Sequence, residues 1–219
     1  MYKGFIKRSI DLVLSTMGII LLIIPMAIIA LLIKITDPGP ALFKQKRVGI
    51  HKTHFELYKF RTMKMSTPRD CPTHLLENPE QYITTIGRFL RKSSFDELPQ
   101  LFNIWTGKMS IVGPRPALWN QYDLVDEREK YGANDVKPGL TGWAQINGRD
   151  ELEIPVKAKL DGHYTAVLNS GKFKGCAIDI KCFFGTIKSV MKSDGVVEGG
   201  TGKLNQDNEK ETEKESIEQ

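Results

Sequence analysis

Cysteine is scarce: three thiols, Cys71, Cys176 and Cys182, occur in 219 residues, and none forms a C-x-x-C pair. That excludes a disulfide-built secreted module and fits a reducing compartment with the thiols as small core residues. Four histidines provide one close pair, His51-x-x-His54, on a turn signal without a third ligand nearby, which argues against zinc. G-x-G-x-x-G, a Walker-type loop and G-x-S-x-G are all missing, removing the commonest nucleotide-binding and hydrolase readings. There is no internal repeat and no collagen-like period. With 41% hydrophobic and 26% charged residues, the chain can form one substantial domain or at most two small ones.

The charge is uneven. Net charge is +5, but from Glu198 onward seven acids face three bases, leaving about +9 on residues 1–197. A body so basic expects an anionic partner: phosphates, nucleic acid or an anionic lipid surface. With a hydrophobic anchor and no recognisable DNA or RNA module, nucleic acid is set aside. Residues 198–219 have no apolar period and are expected to be disordered.

Leu12–Ile33 is a 22-residue uncharged run rich in Ile and Leu. As a helix it spans about 33 Å, enough to cross a bilayer core. It is too long for a signal-peptide core, and no small-x-small cleavage site follows. Lys3, Lys7 and Arg8 precede it; Lys34, Lys44, Lys46 and Arg47 follow, so both flanks carry the basic mark of the cytoplasmic side. Pro25 leaves the Leu21 carbonyl without its helical partner. A helix broken at Ile24-Pro25, dipping into one leaflet and returning, satisfies both observations; an ordinary spanning helix is the rival.

Ala41–Val48 and Phe55–Thr62 read as a β-hairpin, and Lys64–Pro79 as a mobile loop. Ile83–Arg91 reads as a short helix. Leu98, Leu101, Phe102 and Trp105 form a helical stripe with Asp96 as N-cap and Gly107 as stop. Met109–Val112 is a short apolar run, Ala117–Tyr131 a helix, and Lys137–Trp143 a glycine-rich loop. Ile180, Phe183, Phe184, Ile187, Val190 and Met191 form a last stripe, suited equally to a membrane surface or to a core.

Asp96-Glu97 is the most suggestive acidic pair. Ser94-x-x-Glu97 also matches a capping box, so capping and catalysis both remain open. Beside Arg88, Arg91 and Lys92, a carboxylate here is expected to have a lowered pKa and to share its neighbourhood with phosphate. Arg115, between two prolines, is either a rigid phosphate fork or an ordinary turn charge. Lys59 and Arg61, two apart on a strand, form either a phosphate platform or a solvated face.

Together these stretches resemble the bacterial sugar transferases, the monotopic phosphoglycosyl transferases. The resemblance runs from Lys7-Arg8-x-x-Asp11 through Phe43-x-Gln45-x-Arg47-x-Gly49, Tyr58-Lys59-Phe60-Arg61-Thr62-Met63 and Ser94-x-Asp96-Glu97-Leu98-Pro99-Gln100-Leu101-Phe102-Asn103. It continues in Met109-Ser110-x-Val112-Gly113-Pro114-Arg115-Pro116 and Lys137-Pro138-Gly139-x-Thr141-Gly142-Trp143-Ala144-Gln145, reaching about Arg149. Thr165–Ala177 matches poorly, and Ile24-Pro25 stands where the family has Ser-Pro.

The resemblance implies transfer of a sugar-1-phosphate from a UDP-sugar to undecaprenyl phosphate, releasing UMP. Asp96 would be the nucleophile and a Mg2+ ligand, and Glu97 the second member of the dyad. Arg91, Arg115 and Arg149 would contact phosphate or nucleotide. It places the enzyme at the bacterial inner membrane, catalytic domain on the cytoplasmic face, early in glycoconjugate assembly. The expected architecture is α+β: a re-entrant membrane helix (1–36), a compact, mainly helical catalytic domain with a small β-hairpin and membrane-surface amphipathic helices (37–197), and an acidic tail (198–219). A non-catalytic, membrane-anchored binder of anionic polymers is the alternative, and a homo-oligomer is left open.

Overall fold

The computed structural model describes residues 2–67, 79–148 and 152–192. Cys71, most of the expected 64–79 loop, Arg149 and the acidic tail lie outside them. After a π-helical turn at Tyr2–Ile6, α1 runs from Lys7 to Thr36, about 45 Å of helix. A β-hairpin follows, β1 (Leu42–Val48) against β2 (His54–Phe60), in register from Leu42–Phe60 to Val48–His54. The hairpin is thus where the alternating pattern puts it.

α2 (Thr85–Lys92) begins at Thr84, whose hydroxyl accepts from the Gly87 amide, and α3 (Gln100–Trp105) ends before Gly107 at φ +81°. β3 (Ser110–Val112) pairs in parallel with β4 (Gly139–Thr141), and the crossover between them carries α4 (Tyr122–Glu129). α5 (Trp143–Ile146), α6 (Ile154–Asn169) and α7 (Lys172–Lys192) complete the chain. The architecture is mixed: mainly helical, with two small sheets and one long apolar N-terminal helix.

α1 is two-faced. Lys7, Asp11, Ser15, Met26 and Ile33 are buried; of these, Met26 and Ile33, with Leu22, Ile29 and Ala30, pack against Ala41, Phe60, Leu90, Leu98 and Phe102. At Gly18 an added Cβ would come within 3.2 Å of Leu101, so the small residue lets α3 approach. The other face, with Val13, Met17, Ile20, Ile24, Ile28 and Leu31, is apolar and outward. The helix is long and apolar enough to cross a membrane.

The expected interruption at Ile24-Pro25 is not present; α1 stays helical with Pro25 inside it. Proline deletes one backbone bond, and the surrounding turns keep theirs. Lys7 and Arg8 are not free flank charges either. Lys7 Nζ meets buried Asp179 at 2.6 Å, and Arg8 donates to the Ile104 and Trp105 carbonyls at 2.6 and 2.8 Å. Asp11 accepts from Ser110 Oγ and the Ile111 amide. The basic start of the helix is therefore docked onto α3, β3 and α7.

The Lys137–Trp143 stretch, expected as loop, contains β4 and the start of α5. Its glycines let two backbones touch: a Cβ on Gly139 would sit 2.1 Å from the Gly113 amide nitrogen, and one on Gly113 2.3 Å from the Lys137 carbonyl. The helix expected over Ala117–Tyr131 is shorter, because Ala117 is tied to Val48 and Leu118 bridges Arg47 before α4 begins. On α7, Ile180, Phe183, Phe184 and Ile187 are exposed, while Ile178, Asp179 and Cys182 face inward. This overturns the core-facing reading of that stripe. Cys182 is a free thiol whose pKa is pushed up to about 12, chiefly by burial and then by Asp179.

Candidate active site

α2 ends at Lys92, and the chain reverses through Ser94, held at φ +58°. A single 3-10 turn, Phe95–Glu97, follows before α3. This left-handed serine breaks the helix that the Leu98–Trp105 stripe suggested from Asp96. Pro99, not Asp96, sits at the head of α3, and the Ser94 side chain caps nothing. The capping-box reading of Ser94-x-x-Glu97 therefore fails. Asp96 and Glu97 stand side by side on the turn, with side chains only 13% and 14% exposed.

β2 brings the first cation. Phe55 and Leu57 bury its inner face, and Lys59 continues that face toward the turn. Lys59 Nζ lies 2.8 Å from Glu97 Oε1 and 3.8 Å from Asp96 Oδ2. The second comes from the turn after β3: Arg115 Nη2 is 3.3 Å from the same Glu97 oxygen. Arg91, on the last turn of α2, donates from Nε to Thr62 Oγ1 at 2.8 Å and acts on Asp96 through its field.

Burial decides the ionisation of Asp96. Desolvation raises its pKa above the ordinary aspartate value, Glu97 adds to the rise, and Lys59, Arg91 and Arg115 oppose it. The expectation of a lowered pKa is thus reversed. The closest ammonium is hydrogen-bonded to Glu97 and meets Asp96 only at 3.8 Å. Among the described residues Asp96 accepts no hydrogen bond. Burial likewise lowers the pKa of Arg91, against the pull of Asp96 and Glu80.

The sequence-derived residues divide. Asp96, Glu97, Lys59, Arg91 and Arg115 come together. Arg61 does not join them: β2 ends at Phe60, and the buried Arg61 guanidinium turns to Asp37 at the end of α1, on its carbonyl and, at 3.2 Å, its carboxylate. Lys59 and Arg61 therefore do not form one platform. Arg149 lies outside the described residues.

Sequence reasoning missed the residues that hold these groups. Asn103 donates to the Glu56 carbonyl at 2.7 Å and accepts from the Tyr58 amide at 2.9 Å, fixing the outer edge of β2 beside the acidic turn. Arg47 and the buried Arg128–Asp161 pair grip the Arg115 turn. Asn103 and Arg47 stand inside recognisable motifs, yet nothing in their spacing announces what they bind. Among the described residues no group of three or more His, Cys, Asp or Glu is arranged to hold a metal ion.

The family model described as bacterial sugar transferase matches residues 2–193. An uncharacterized sugar transferase of Bacillus subtilis (strain 168), EpsL, is 41% identical over 194 residues, covering 87% of this chain and 90% of its own. The undecaprenyl-phosphate galactose phosphotransferase of Salmonella typhimurium is 38% identical over 212 residues, 87% of this chain and 41% of that protein. The UDP-glucose:undecaprenyl-phosphate glucose-1-phosphate transferase of Escherichia coli (strain K12) is 46% identical over 146 residues, 65% of this chain and 31% of that protein. The chain thus spans less than half the length of these last two relatives.

Proposed function

Because the chain belongs to the bacterial sugar transferase family, we propose that it moves a sugar-1-phosphate from a UDP-sugar to undecaprenyl phosphate, releasing UMP. The names of the Salmonella and Escherichia relatives supply the lipid acceptor and the class of reaction. The observation that carries the reading to this chain is the turn at Asp96-Glu97: two largely covered carboxylates among Lys59, Arg91 and Arg115.

In this reading Asp96 attacks the phosphorus that bears the sugar. A carboxylate-oxygen-to-phosphorus bond forms, the phosphoanhydride breaks, and UMP leaves with the bridging oxygen and its electron pair. The lipid phosphate then attacks the same phosphorus and frees Asp96. Asp96 suits the role: it accepts no hydrogen bond among the described residues, and burial strips it of water, which keeps it nucleophilic once ionised. Lys59 and Arg115 hold Glu97 and leave a cationic wall against which a diphosphate can lie. The side-by-side carboxylates also fit Mg2+, a hard cation that takes one or two protein oxygens and completes its shell with water and phosphate. Asp96 and Glu97 would hold it, and it would supply charge neutralisation of the diphosphate.

We also read α1, unbroken at Pro25, as lying within one leaflet rather than crossing the bilayer. Its outward face is apolar from Ile10 to Leu32, yet both ends are bound to the same domain: Arg8 and Asp11 to α3 and β3, Asp37 to Arg61. A crossing helix would put those polar partners on opposite sides of the bilayer. An anchor of this kind keeps Asp96 near the headgroups, where the acceptor phosphate sits, on the cytoplasmic face of the inner membrane. The exposed Ile180, Phe183, Phe184 and Ile187, with Lys181 and Lys188, suit α7 to the same interface. Residues 1–36 then form the anchor and 37–197 the catalytic domain.

The test is UMP release from a panel of UDP-sugars with Mg2+, with and without undecaprenyl phosphate. At least one sugar is expected to support stoichiometric UMP release without acceptor, and Asp96→Asn to abolish it. Full turnover by Asp96→Asn refutes the nucleophile. UMP release that strictly requires acceptor favours direct attack by the lipid phosphate, and absence of lipid-linked product with every sugar favours a non-catalytic binder.

A further inference from the structure

Four consecutive carbonyls around Arg115 are each held by a donor from elsewhere in the fold. Pro114 O accepts from the Gly139 amide at 2.9 Å, and Ala117 O from the Val48 amide at 3.0 Å. Between them, Arg115 O accepts from Arg128 Nη2 at 3.0 Å and Pro116 O from Arg47 Nη1 at 2.8 Å. Each guanidinium is itself fixed from behind. Arg47 donates from Nε and Nη2 to Gln45 Oε1 at 3.1 and 2.6 Å. Arg128 donates from Nε and Nη2 to Asp161 Oδ2 at 2.9 and 2.6 Å, and both residues of this pair are buried.

The two prolines fix φ at 114 and 116, and the Gly139 amide holds the plane before Arg115, but the planes that follow Arg115 and Pro116 are still able to rock. Charge-assisted bonds from Arg128 to the Arg115 carbonyl and from Arg47 to the Pro116 carbonyl remove that freedom. We propose that Arg47 and Arg128 are positioning residues that set the Arg115 guanidinium against Glu97 and the donor diphosphate; this rests on the phosphoglycosyl transfer reading. A small rotation of the turn is magnified at the end of the long side chain, and a displacement of about 1 Å near reacting groups can lower rate on the order of 100-fold. It also gives a role to Arg47 on the hairpin, whose guanidinium reaches the Pro116 carbonyl, and to Gln45, which holds that guanidinium.

The experiment is a cycle on the full-length protein, with UMP release and thermal midpoint as readouts. Arg47→Met is expected to lower kcat/KM about 10- to 100-fold with the midpoint near that of the parent, and Arg47→Lys, which keeps one donor, to recover part of the loss. Arg115→Lys keeps the charge and loses the fork. In that background Arg47→Met is expected to lower kcat/KM less than about threefold further, since it acts through Arg115. Equal fold losses in both backgrounds, or no loss in the parent, overturn the positioning role. Arg128→Met with Asp161→Leu removes the second clamp without stranding a buried charge; a folded, fully active double variant overturns the part assigned to Arg128, and the same dependence on Arg115 supports it. Full activity of Arg115→Lys would contradict the site itself, which separates failure of the parent reading from failure of this one.

Discussion

Asp179 on α7 is the place where the two ends of the described chain are tied together, and Asp179→Ala tests how much that tie contributes. Its Oδ2 accepts from Tyr2 Oη at 2.7 Å and Lys7 Nζ at 2.6 Å, and its Oδ1 from Tyr164 Oη at 2.8 Å. Lys7 and Asp179 are a buried pair, with side chains 10% and 11% exposed. Alanine leaves the Lys7 ammonium and the Tyr2 hydroxyl without this carboxylate in a buried site, while Tyr164 Oη keeps the Val112 carbonyl. Stranding one partner of such a pair costs about 3–5 kcal/mol. At about 2–4 °C per kcal/mol for a domain of this size, the thermal midpoint should fall by roughly 6–20 °C. The assay is thermal unfolding of the purified protein in detergent. Lys7→Met with Asp179→Leu removes both charges together and should regain most of the loss. A midpoint within about 2 °C of the parent for Asp179→Ala, or a double variant no better than the single, would refute the reasoning.

Burial raises the pKa of Asp96, so its ionised form is disfavoured in the folded protein. The protonated form's contribution to stability is full below the ordinary aspartate value of 3.8 and is lost as pH rises through the raised value. Asp96→Asn should therefore raise the thermal midpoint at neutral pH while abolishing activity, the gain shrinking on acidification; a lower midpoint at neutral pH would contradict this. Activity needs the ionised carboxylate, so at limiting Mg2+ the acid limb of kcat/KM should lie above the ordinary aspartate range and move down as Mg2+ is raised, as a pH–rate profile would show. Asn103→Leu leaves the Glu56 carbonyl and the Tyr58 amide unpaired beside a buried side chain. It should destabilise by about 1–3 kcal/mol per group in urea unfolding, and a change under about 0.5 kcal/mol would remove Asn103 from the account.

What could be read without coordinates depended on the range of each signal. The uncharged run of α1, the hairpin and the stripe of α7 are local patterns of enough length to register, and they appear where the residues put them. β3 and β4 are three residues each, too short for any period to show, and their pairing depends on Gly113 and Gly139 meeting across the fold. The acidic turn has the local pattern of a helix start, because nothing in the sequence marks Ser94 as left-handed. The sign of the Asp96 shift followed the same limit: neighbouring arginines are visible in the sequence, but the desolvation that outweighs them is a property of the packed turn. Arg61 shares a face with Lys59 only in a strand that runs past Phe60, and β2 ends there. Lys7, counted as a charge marking the membrane boundary, has its partner at residue 179. Arg128 and Asp161 are equally far beyond local reach, 33 positions apart on different helices.

The most direct test is to incubate the full-length protein with Mg2+ and its UDP-sugar, without lipid acceptor, and to weigh the peptide that contains Asp96. The account predicts a mass increase of one sugar phosphate on that residue, discharged when undecaprenyl phosphate is added. An unmodified Asp96 under conditions in which UMP is released, or an adduct on another residue, would contradict it.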